Sequence, residues 1–276
     1  MSGTALVIGA AGGMGAEIAK ALVADGYRVL ATVLNDKEAG HLKSAAPGVA
    51  EVHRLDLSDA DAVLTALRGL KLASLDAVIV SAAIGPTGPL ELVPLSMLRR
   101  TLEVNTVAAA AIFQACMPAL SAARGRLMLI SSFSGKVGLP FLGHYTTSKF
   151  ALEGLGDVMR REAKSSGVDV ILIEPGGVKT GMVAGQLEDI ARVRAALSPA
   201  DAERFGAMYD KFLRLMKRSL DSMLHPSAVA DTVLAALKAN PPQARYTVGE
   251  DAKFMCESAR KPDAEVDAIV AGFLEG

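Results

Sequence analysis

The sequence has no tryptophan and few aromatic residues of any kind. Aromatics make up 4% of its 276 residues, whereas hydrophobic residues make up 51%. A core with so few rings has to be filled by alanine, valine, leucine and isoleucine, which suit strands buried on both faces of a parallel sheet. This composition therefore favours an α/β fold.

An excess of one charge and a cluster of cysteines are also lacking. There are 29 lysines and arginines against 30 aspartates and glutamates, and no basic stripe is interleaved with aromatics, so we expect no nucleic-acid partner. Cys116 and Cys256 lie far apart and lack metal-ligand spacing, which predicts neither a disulfide framework nor a metal site. A reducing cytoplasm suits such a chain.

Long hydrophobic runs are missing as well. The longest uninterrupted apolar run, residues 107–113, is far shorter than the roughly 20 residues that a membrane-spanning helix needs. The first four residues contain no cationic region of the kind that begins a targeting peptide. We therefore expect no membrane span and a cytoplasmic location.

Short aliphatic runs alternate with helical periodicity along the chain. The predicted strands are residues 5–8, 28–33, 51–55, 77–80, 126–130, 168–173 and 246–248. The predicted helices between them include residues 14–24, 60–67, 97–120, 147–165 and 227–237. Alternation of this kind predicts a Rossmann-type, doubly wound parallel sheet of about seven strands, flanked by helices and forming one domain over residues 1–276.

Two regions depart from that rhythm. Residues 180–225 show no strand pattern and are too long for an ordinary connection, so we interpret them as a mostly helical lid over the substrate. Residues 250–276 are charged and mixed, which predicts a peripheral tail on the outside of the domain.

A glycine-rich turn follows the first predicted strand. Gly9, Gly12, Gly13 and Gly15, with Met14 between the last two, lead directly into a helix. A turn of this kind can bring backbone N–H groups and a helix N-terminus to a pyrophosphate, although a close-packed turn without a ligand gives the same pattern.

A second motif pairs a phenol with an ammonium group. Tyr145 and Lys149 are four residues apart, which places them on one face of a helix. An ammonium group close to a tyrosine favours the phenolate and lowers the phenol pKa, so the pair could move protons near neutral pH. The alternative is an exposed helix pair with no chemical role.

The two motifs, with their order and spacing, resemble the short-chain dehydrogenase/reductase family. Ser132 and Asn105 match the serine and asparagine that complete the family's catalytic tetrad with Tyr145 and Lys149. The resemblance covers residues 4–249. One departure is the segment of residues 80–83, Val-Ser-Ala-Ala, where the family has Asn-Asn-Ala-Gly.

The resemblance also implies a cofactor site for NAD or NADP. Its expected residues are Gly9, Gly12, Gly13, Met14, Gly15, Val33, Leu34, Asp56, Leu57, Ala82, Lys149, Pro175, Gly176, Val178 and Thr180. A carboxylate at the end of the second strand would bind the ribose of NAD, and a basic residue would meet the 2′-phosphate of NADP. Val33 and Leu34 do neither, so the choice stays open.

The family likeness implies interconversion of an alcohol and a ketone or aldehyde. Tyr145 would be the general acid or base, Ser132 would hydrogen-bond the reacting oxygen, Lys149 would hold the ribose and lower the Tyr145 pKa, and Asn105 would support a proton-relaying water. The segments around Tyr145 look most like the 17β-hydroxysteroid and retinol dehydrogenase branch, which favours a lipophilic or aromatic substrate. The residues expected around the substrate cleft are Leu139, Phe141, Met182, Met208, Tyr209, Phe212 and Met216.

Several alternatives to this interpretation stay open. They are a small-ketone or 3-oxoacyl reductase, a non-catalytic NAD(P)-sensing protein of the same fold, and an epimerase or dehydratase of the same fold. A small-molecule substrate is expected in the enzymatic cases. Helices 97–120 and 147–165 correspond to a dimer interface in relatives, so we expect a homodimer or homotetramer.

Overall fold

Seven aliphatic segments form one sheet in the computed structural model, which describes residues 3–275. The strands are β1 Thr4–Ile8, β2 Arg28–Val33, β3 Glu51–Arg54, β4 Ala77–Val80, β5 Arg126–Ile130, β6 Asp169–Pro175 and β7 Arg245–Val248. Every neighbouring pair is parallel, in the order β3-β2-β1-β4-β5-β6-β7. The predicted Rossmann-type doubly wound sheet is confirmed, with strand ends that differ from the predicted ones by at most two residues.

Helices cover both faces of the sheet. They are α1 Gly13–Ala24, α2 Asp36–Ala45, α3 Ala60–Gly69, α4 Leu95–Leu102, α5 Ala108–Ala123, α6 Gly143–Ala163, α7 Gly181–Ala195, α8 Pro199–Ser222, α9 Ser227–Lys238, α10 Glu250–Ser258 and α11 Asp263–Glu275. Side-chain caps begin several of them: Asn35 accepts from the Glu38 N–H, Asp59 from the Ala62 N–H and Ser198 from the Asp201 N–H. Apolar periodicity did not predict α2, in which Leu42 is the one buried residue.

Two apolar clusters hold the helices to the sheet. On one face, α3, α5 and α6 pack over strand residues such as Leu127 and Leu172. On the other, α1, α2 and α9 pack over residues such as Val7 and Ile171. Because successive strand residues point to opposite faces, the central strands are apolar on both sides.

A π-helical turn, Glu103–Val107, joins α4 to α5. The sequence predicted one uniform helix over residues 97–120, and periodicity cannot reveal a single inserted residue of this kind. The continuous helical stretch Leu95–Ala123 is long and apolar enough to cross a membrane by length and composition. Core helices of soluble proteins pass the same test, so this is weak evidence for a span, and the expectation of no span stays a prediction.

The two irregular regions predicted from the sequence are helical. Helices α7 and α8 occupy most of residues 180–225 and share an apolar cluster that includes Ile190, Tyr209 and Phe212. Helices α10 and α11 make up the tail, and Met255 of α10 packs on Val137 and Leu139, in the segment that precedes α6.

Leu172 fixes the position of α6 on the sheet, and its truncation tests that packing. Leu172 is 1% exposed, and a Cβ on Gly156 of α6 would lie 3.0 Å from its side chain. We expect Leu172→Ala to lower the free energy of unfolding by about 2–5 kcal/mol, the usual cost of a buried leucine. Leu95→Ala, at a position that is 67% exposed, is the matched control, and denaturant unfolding measures both. Equal stability of the two variants would contradict this account of the packing.

Candidate active site

The glycine turn after β1 depends on the close approach of backbone to backbone. Gly9 has φ +77°, and its N–H donates to the Thr32 hydroxyl at 3.2 Å. A Cβ on Gly15 would lie 2.2 Å from the Gly9 carbonyl oxygen, so α1 can begin this close to β1 because residue 15 has no side chain. Gly9 and Gly15 therefore fix the path of the turn.

The N-terminus of α1 is free to bind an anion. Gly12 precedes the helix with no side-chain cap, and the first turn contains no acidic residue. Unpaired N–H groups and the helix dipole favour a negative group at this end. Gly13 faces Thr180, since a Cβ on it would lie 3.3 Å from the threonine methyl carbon. Residues 9–15 and Thr180 thus form two sides of one cradle, which fits the pyrophosphate of a dinucleotide.

The predicted residues at the adenosine end divide into core and surface. Val33 and Leu57 are buried in the two apolar clusters, so their side chains belong to the core. Leu34 is 51% exposed, and its N–H donates to Glu38 at 2.8 Å. Asp56 is exposed and accepts from the Ser58 N–H at 2.9 Å, which stabilises the turn after β3.

The remaining predicted cofactor residues follow β4 and β6. Ala82 lies against Gly9, where a Cβ would be 2.5 Å from the alanine Cβ. Pro175 ends β6, and the Gly176 N–H donates to the Val248 carbonyl at 2.9 Å. Val178 is 4% exposed and pairs with Leu224 in an isolated β-bridge, so its side chain packs in the core.

Tyr145 lies in the first turn of α6, two residues before the predicted start of that helix. Ser132 follows β5 and is buried, and its hydroxyl accepts from the Ser134 N–H at 3.1 Å. Burial raises the pKa of Tyr145 to about 12, although a hydrogen bond with Ser132 acts in the opposite direction. The phenol is therefore protonated at neutral pH.

Lys149 lies one helical turn after Tyr145 and is 2% exposed. Its Nζ donates to the Ile130 carbonyl at 2.7 Å and lies 5.6 Å from the centre of the Tyr145 ring. Burial lowers the pKa of Lys149 to about 8, with the Glu153 carboxylate opposing that shift. The sequence predicted that Lys149 would lower the Tyr145 pKa; the structure gives the opposite direction for Tyr145, because the cost of burying the phenolate is larger.

Asn105 lies in the π-helical turn and ties two parts of the site together. Its Oδ1 accepts from the Ile84 N–H at 2.8 Å, and its Nδ2 donates to the Ile84 carbonyl at 2.8 Å and to the Ser148 hydroxyl at 2.9 Å. Ser148 in turn donates to the Tyr145 carbonyl at 2.7 Å. The amide thus joins the loop after β4 to the first turn of α6, a contact that the sequence did not indicate.

The expected substrate-facing residues do not all lie at the site. A Cβ on Gly85 would lie 3.5 Å from Tyr145 Cδ2, 3.1 Å from Met182 Sδ and 2.7 Å from Gln186 Nε2, so α7 reaches the catalytic tyrosine candidate. Gln186 also donates to the Gly85 carbonyl at 2.8 Å. The other aromatic and apolar residues expected there pack elsewhere: Phe141, Tyr209 and Phe212 contact one another, Leu139 contacts the tail, and Met208 is exposed.

Comparison with known proteins gives the family. Residues 3–191 match the family described as short chain dehydrogenase. Retinol dehydrogenase 16 of Homo sapiens is 32% identical over 277 residues, which cover 96% of this chain and 86% of the relative. The 17-beta-hydroxysteroid dehydrogenase type 1 of Homo sapiens is 31% identical over 258 residues, which cover 89% of this chain and 77% of the relative.

A solved structure shows the same fold. A short chain dehydrogenase from Burkholderia cenocepacia, solved in complex with NADP, superposes with a TM-score of 0.75 at 23% identity and covers 98% of this chain and 97% of its own. The family match spans well over half of the chain and includes the glycine turn, Ser132, Tyr145 and Lys149. The chain belongs to the short-chain dehydrogenase/reductase family and is an oxidoreductase acting on CH-OH groups.

Proposed function

We propose that this protein is an NAD- or NADP-dependent oxidoreductase that interconverts a secondary alcohol and a ketone, or an aldehyde, with Tyr145 as the general acid or base. One observation carries the proposal: Lys149 lies one helical turn after Tyr145, with its Nζ 5.6 Å from the centre of the Tyr145 ring. Ser132, which follows β5, supports it, because its side chain acts to lower the pKa of Tyr145. The uncapped glycine turn at the same edge of the sheet supports a dinucleotide beside them.

Three parts of the chain would bind the cofactor. The N–H groups of residues 13–15 would hold the pyrophosphate, Thr180 would bound it on the opposite side, and the Lys149 ammonium would hold the ribose hydroxyls near Tyr145. The nicotinamide supplies or accepts the hydride when it is bound. NADP in the structural relative from Burkholderia cenocepacia supports this type of cofactor.

The proton would be handled by Tyr145 and Ser132. The Tyr145 phenol is protonated at neutral pH because burial holds its pKa at about 12, so it can donate to a carbonyl oxygen that is being reduced. Ser132 would hydrogen-bond that same oxygen. Asn105, which holds the first turn of α6 through Ser148, would keep the tyrosine in place and support a proton-relaying water.

A lipophilic or aromatic substrate is the second part of the proposal. Met182 lies beside Gly85 and Tyr145, which gives an apolar wall next to the reacting group. The names of the relatives, a retinol dehydrogenase and a 17-beta-hydroxysteroid dehydrogenase, support a bulky apolar alcohol or ketone. In this proposal α7 and α8 are the lid that covers such a substrate.

Replacing Tyr145 by phenylalanine tests the proton donor. We expect Tyr145→Phe to lower kcat/KM for a panel of bulky ketones by about 100-fold to 10,000-fold, the usual contribution of a positioned acid, with little change in cofactor affinity. The measurement is the loss of absorbance of NADH or NADPH. Tyr27→Phe, on the turn that leads into β2, is the matched control. Turnover by Tyr145→Phe at the rate of the wild type would refute the role of the phenol.

Leu34 offers a test of cofactor choice. Its exposed apolar side chain would neither bind the ribose diol nor meet a 2′-phosphate. We expect Leu34→Asp to weaken NADPH binding by about tenfold or more relative to NADH, since a carboxylate repels the 2′-phosphate and accepts from the ribose hydroxyls. Fluorescence titration with both cofactors measures the ratio, and Leu95→Asp is the control. An unchanged ratio would show that Leu34 does not face the adenosine ribose.

We further propose that the protein is a homodimer or homotetramer. Three exposed apolar side chains, Val107, Phe150 and Val158, lie on or beside α5 and on α6. A lysine in a buried apolar interface would be costly, so we expect Phe150→Lys to reduce the molar mass measured by light scattering to that of the monomer. Phe254→Lys, at a position on α10 that is 52% exposed, should leave the mass unchanged. A wild-type protein that is already monomeric would contradict the proposal.

A further inference from the structure

Two buried carboxylates lie on and beside α6, the helix that carries Tyr145 and Lys149. Glu153 and Glu174 are 5% and 3% exposed. The Lys136 ammonium lies 2.6 Å from Glu153 and 3.5 Å from Glu174, and the Arg245 Nε lies 2.9 Å and 3.3 Å from the same two residues. These four residues, which we call the ionic cluster, lie outside the set of residues to which the proposed reaction gives a role.

The ionic cluster joins the turn that begins at Ser132, the helix that carries Tyr145 and Lys149, and strands β6 and β7. Lys136 ends the short turn that begins at Ser132, and Glu153 lies on α6. Glu174 is the residue before Pro175 in β6, and Arg245 begins β7. Buried charges cost free energy unless they are paired, so displacing one of these segments would leave a partner unpaired in the interior.

Glu153 is also close to Lys149. It follows Lys149 by four residues and therefore lies on the same face of α6. Gly135, in the turn after Ser132, fits between them: a Cβ there would lie 2.8 Å from Glu153 Cγ and 3.1 Å from the Lys149 carbonyl oxygen. The Ser132 turn, Glu153 and Lys149 are thus packed without room for one further carbon atom.

We propose that Glu153, held between Lys136 and Arg245, is a positioning residue that keeps Lys149 charged and in place. This inference rests on the proposed function insofar as Lys149 serves the reaction. Burial alone favours the neutral amine, whereas a carboxylate nearby favours the ammonium. Both cationic partners of Glu153 approach the same carboxylate oxygen, Oε2. The other oxygen, Oε1, has no hydrogen-bond partner, which suits Glu153 to this role.

Lys149 and Glu153 have further charged and titratable neighbours. Burial and the neighbouring Glu153 raise the pKa of Glu174. The remaining groups are Tyr145 beside Lys149 on α6, Lys136 and Arg245 in the cluster, Asp157, which accepts from Arg245 at 3.0 Å, and Cys256 of α10, whose sulfur lies 4.0 Å from Glu174.

Titration of Lys149 itself tests the proposal without relying on turnover. Lysine labelled with carbon-13 at Cε reports ammonium loss by NMR, and Lys149→Arg identifies the signal. The wild-type midpoint is expected near the Lys149 pKa of about 8. We expect Glu153→Gln to lower it by about one pH unit, a tenfold smaller ammonium fraction above the midpoint. Glu162→Gln, at an exposed position on the same helix, should leave it unchanged.

Two further results decide the proposal whatever the stability of the variant. Glu153→Asp keeps the carboxylate but shortens the side chain by one carbon. The Lys149 midpoint in this variant should therefore lie between those of the wild type and Glu153→Gln. If Glu153→Gln does not fold, Glu153→Asp alone carries the test. A Lys149 midpoint that moves in neither variant overturns the proposal.

Activity supplies a separate readout. If the proposed oxidoreductase reaction is found, the alkaline limb of kcat/KM should move to lower pH in Glu153→Gln by the same amount as the NMR midpoint, and should not move in Glu162→Gln. A value of kcat/KM that is reduced by the same factor at every pH, with the alkaline limb unmoved, would indicate a purely structural role and would overturn the proposal. If the wild type turns over no carbonyl or alcohol, the proposed function fails, while the NMR titration still reports on Glu153.

Discussion

The close packing of α6 against β6 and against the turn after β5 is the constraint on which the candidate active site depends. Gly156 lets the helix rest on Leu172, and Gly135 lets the turn after β5 approach Glu153 and Lys149. Tyr145 and Lys149 have a fixed spacing on the helix, so their distance from Ser132 is set by how closely helix and strand approach. Protein interiors are packed too tightly for a methyl group to be added at such a contact without displacement.

The π-helical turn at Asn105 solves a hydrogen-bonding problem at the same place. After β4 the chain leaves the sheet, so the N–H and carbonyl groups of Ile84 have no partners in a neighbouring strand. Backbone groups of this kind need hydrogen-bond partners in the interior. The Asn105 amide satisfies both groups of Ile84 and still donates to Ser148. The π-helical turn places this side chain between Ile84 and Ser148, and such turns are frequent at functional sites. The apparent catalytic asparagine therefore has a clear structural task of its own.

The sequence predicted the sheet and the shared helix face of Tyr145 and Lys149, because both follow from local rules, whereas the role of Ser132 was implied by the family resemblance. Strands of aliphatic residues and a four-residue step on a helix depend little on the rest of the chain. The ionic cluster could not be predicted, since Lys136, Glu153, Glu174 and Arg245 come from four separate elements. The pKa of Tyr145 was expected to fall because its charged neighbour was visible in the sequence, whereas its burial was not. Helix α2 was missed because it has one buried residue and therefore little apolar periodicity.

Burial pushes the two titratable groups of the pair toward their neutral forms. An exposed tyrosine and an exposed lysine lose their protons at pH values close to 10, but here the lysine does so near 8 and the tyrosine near 12. A protonated phenol is suited to donate a proton to a carbonyl oxygen, and it is a poor base for the reverse direction. Oxidation of an alcohol needs a positive charge that stabilises the phenolate, and Lys149 is the cation closest to Tyr145 along α6. The charge of Lys149 therefore matters more for oxidation than for reduction, and the carboxylate of Glu153 acts on that charge.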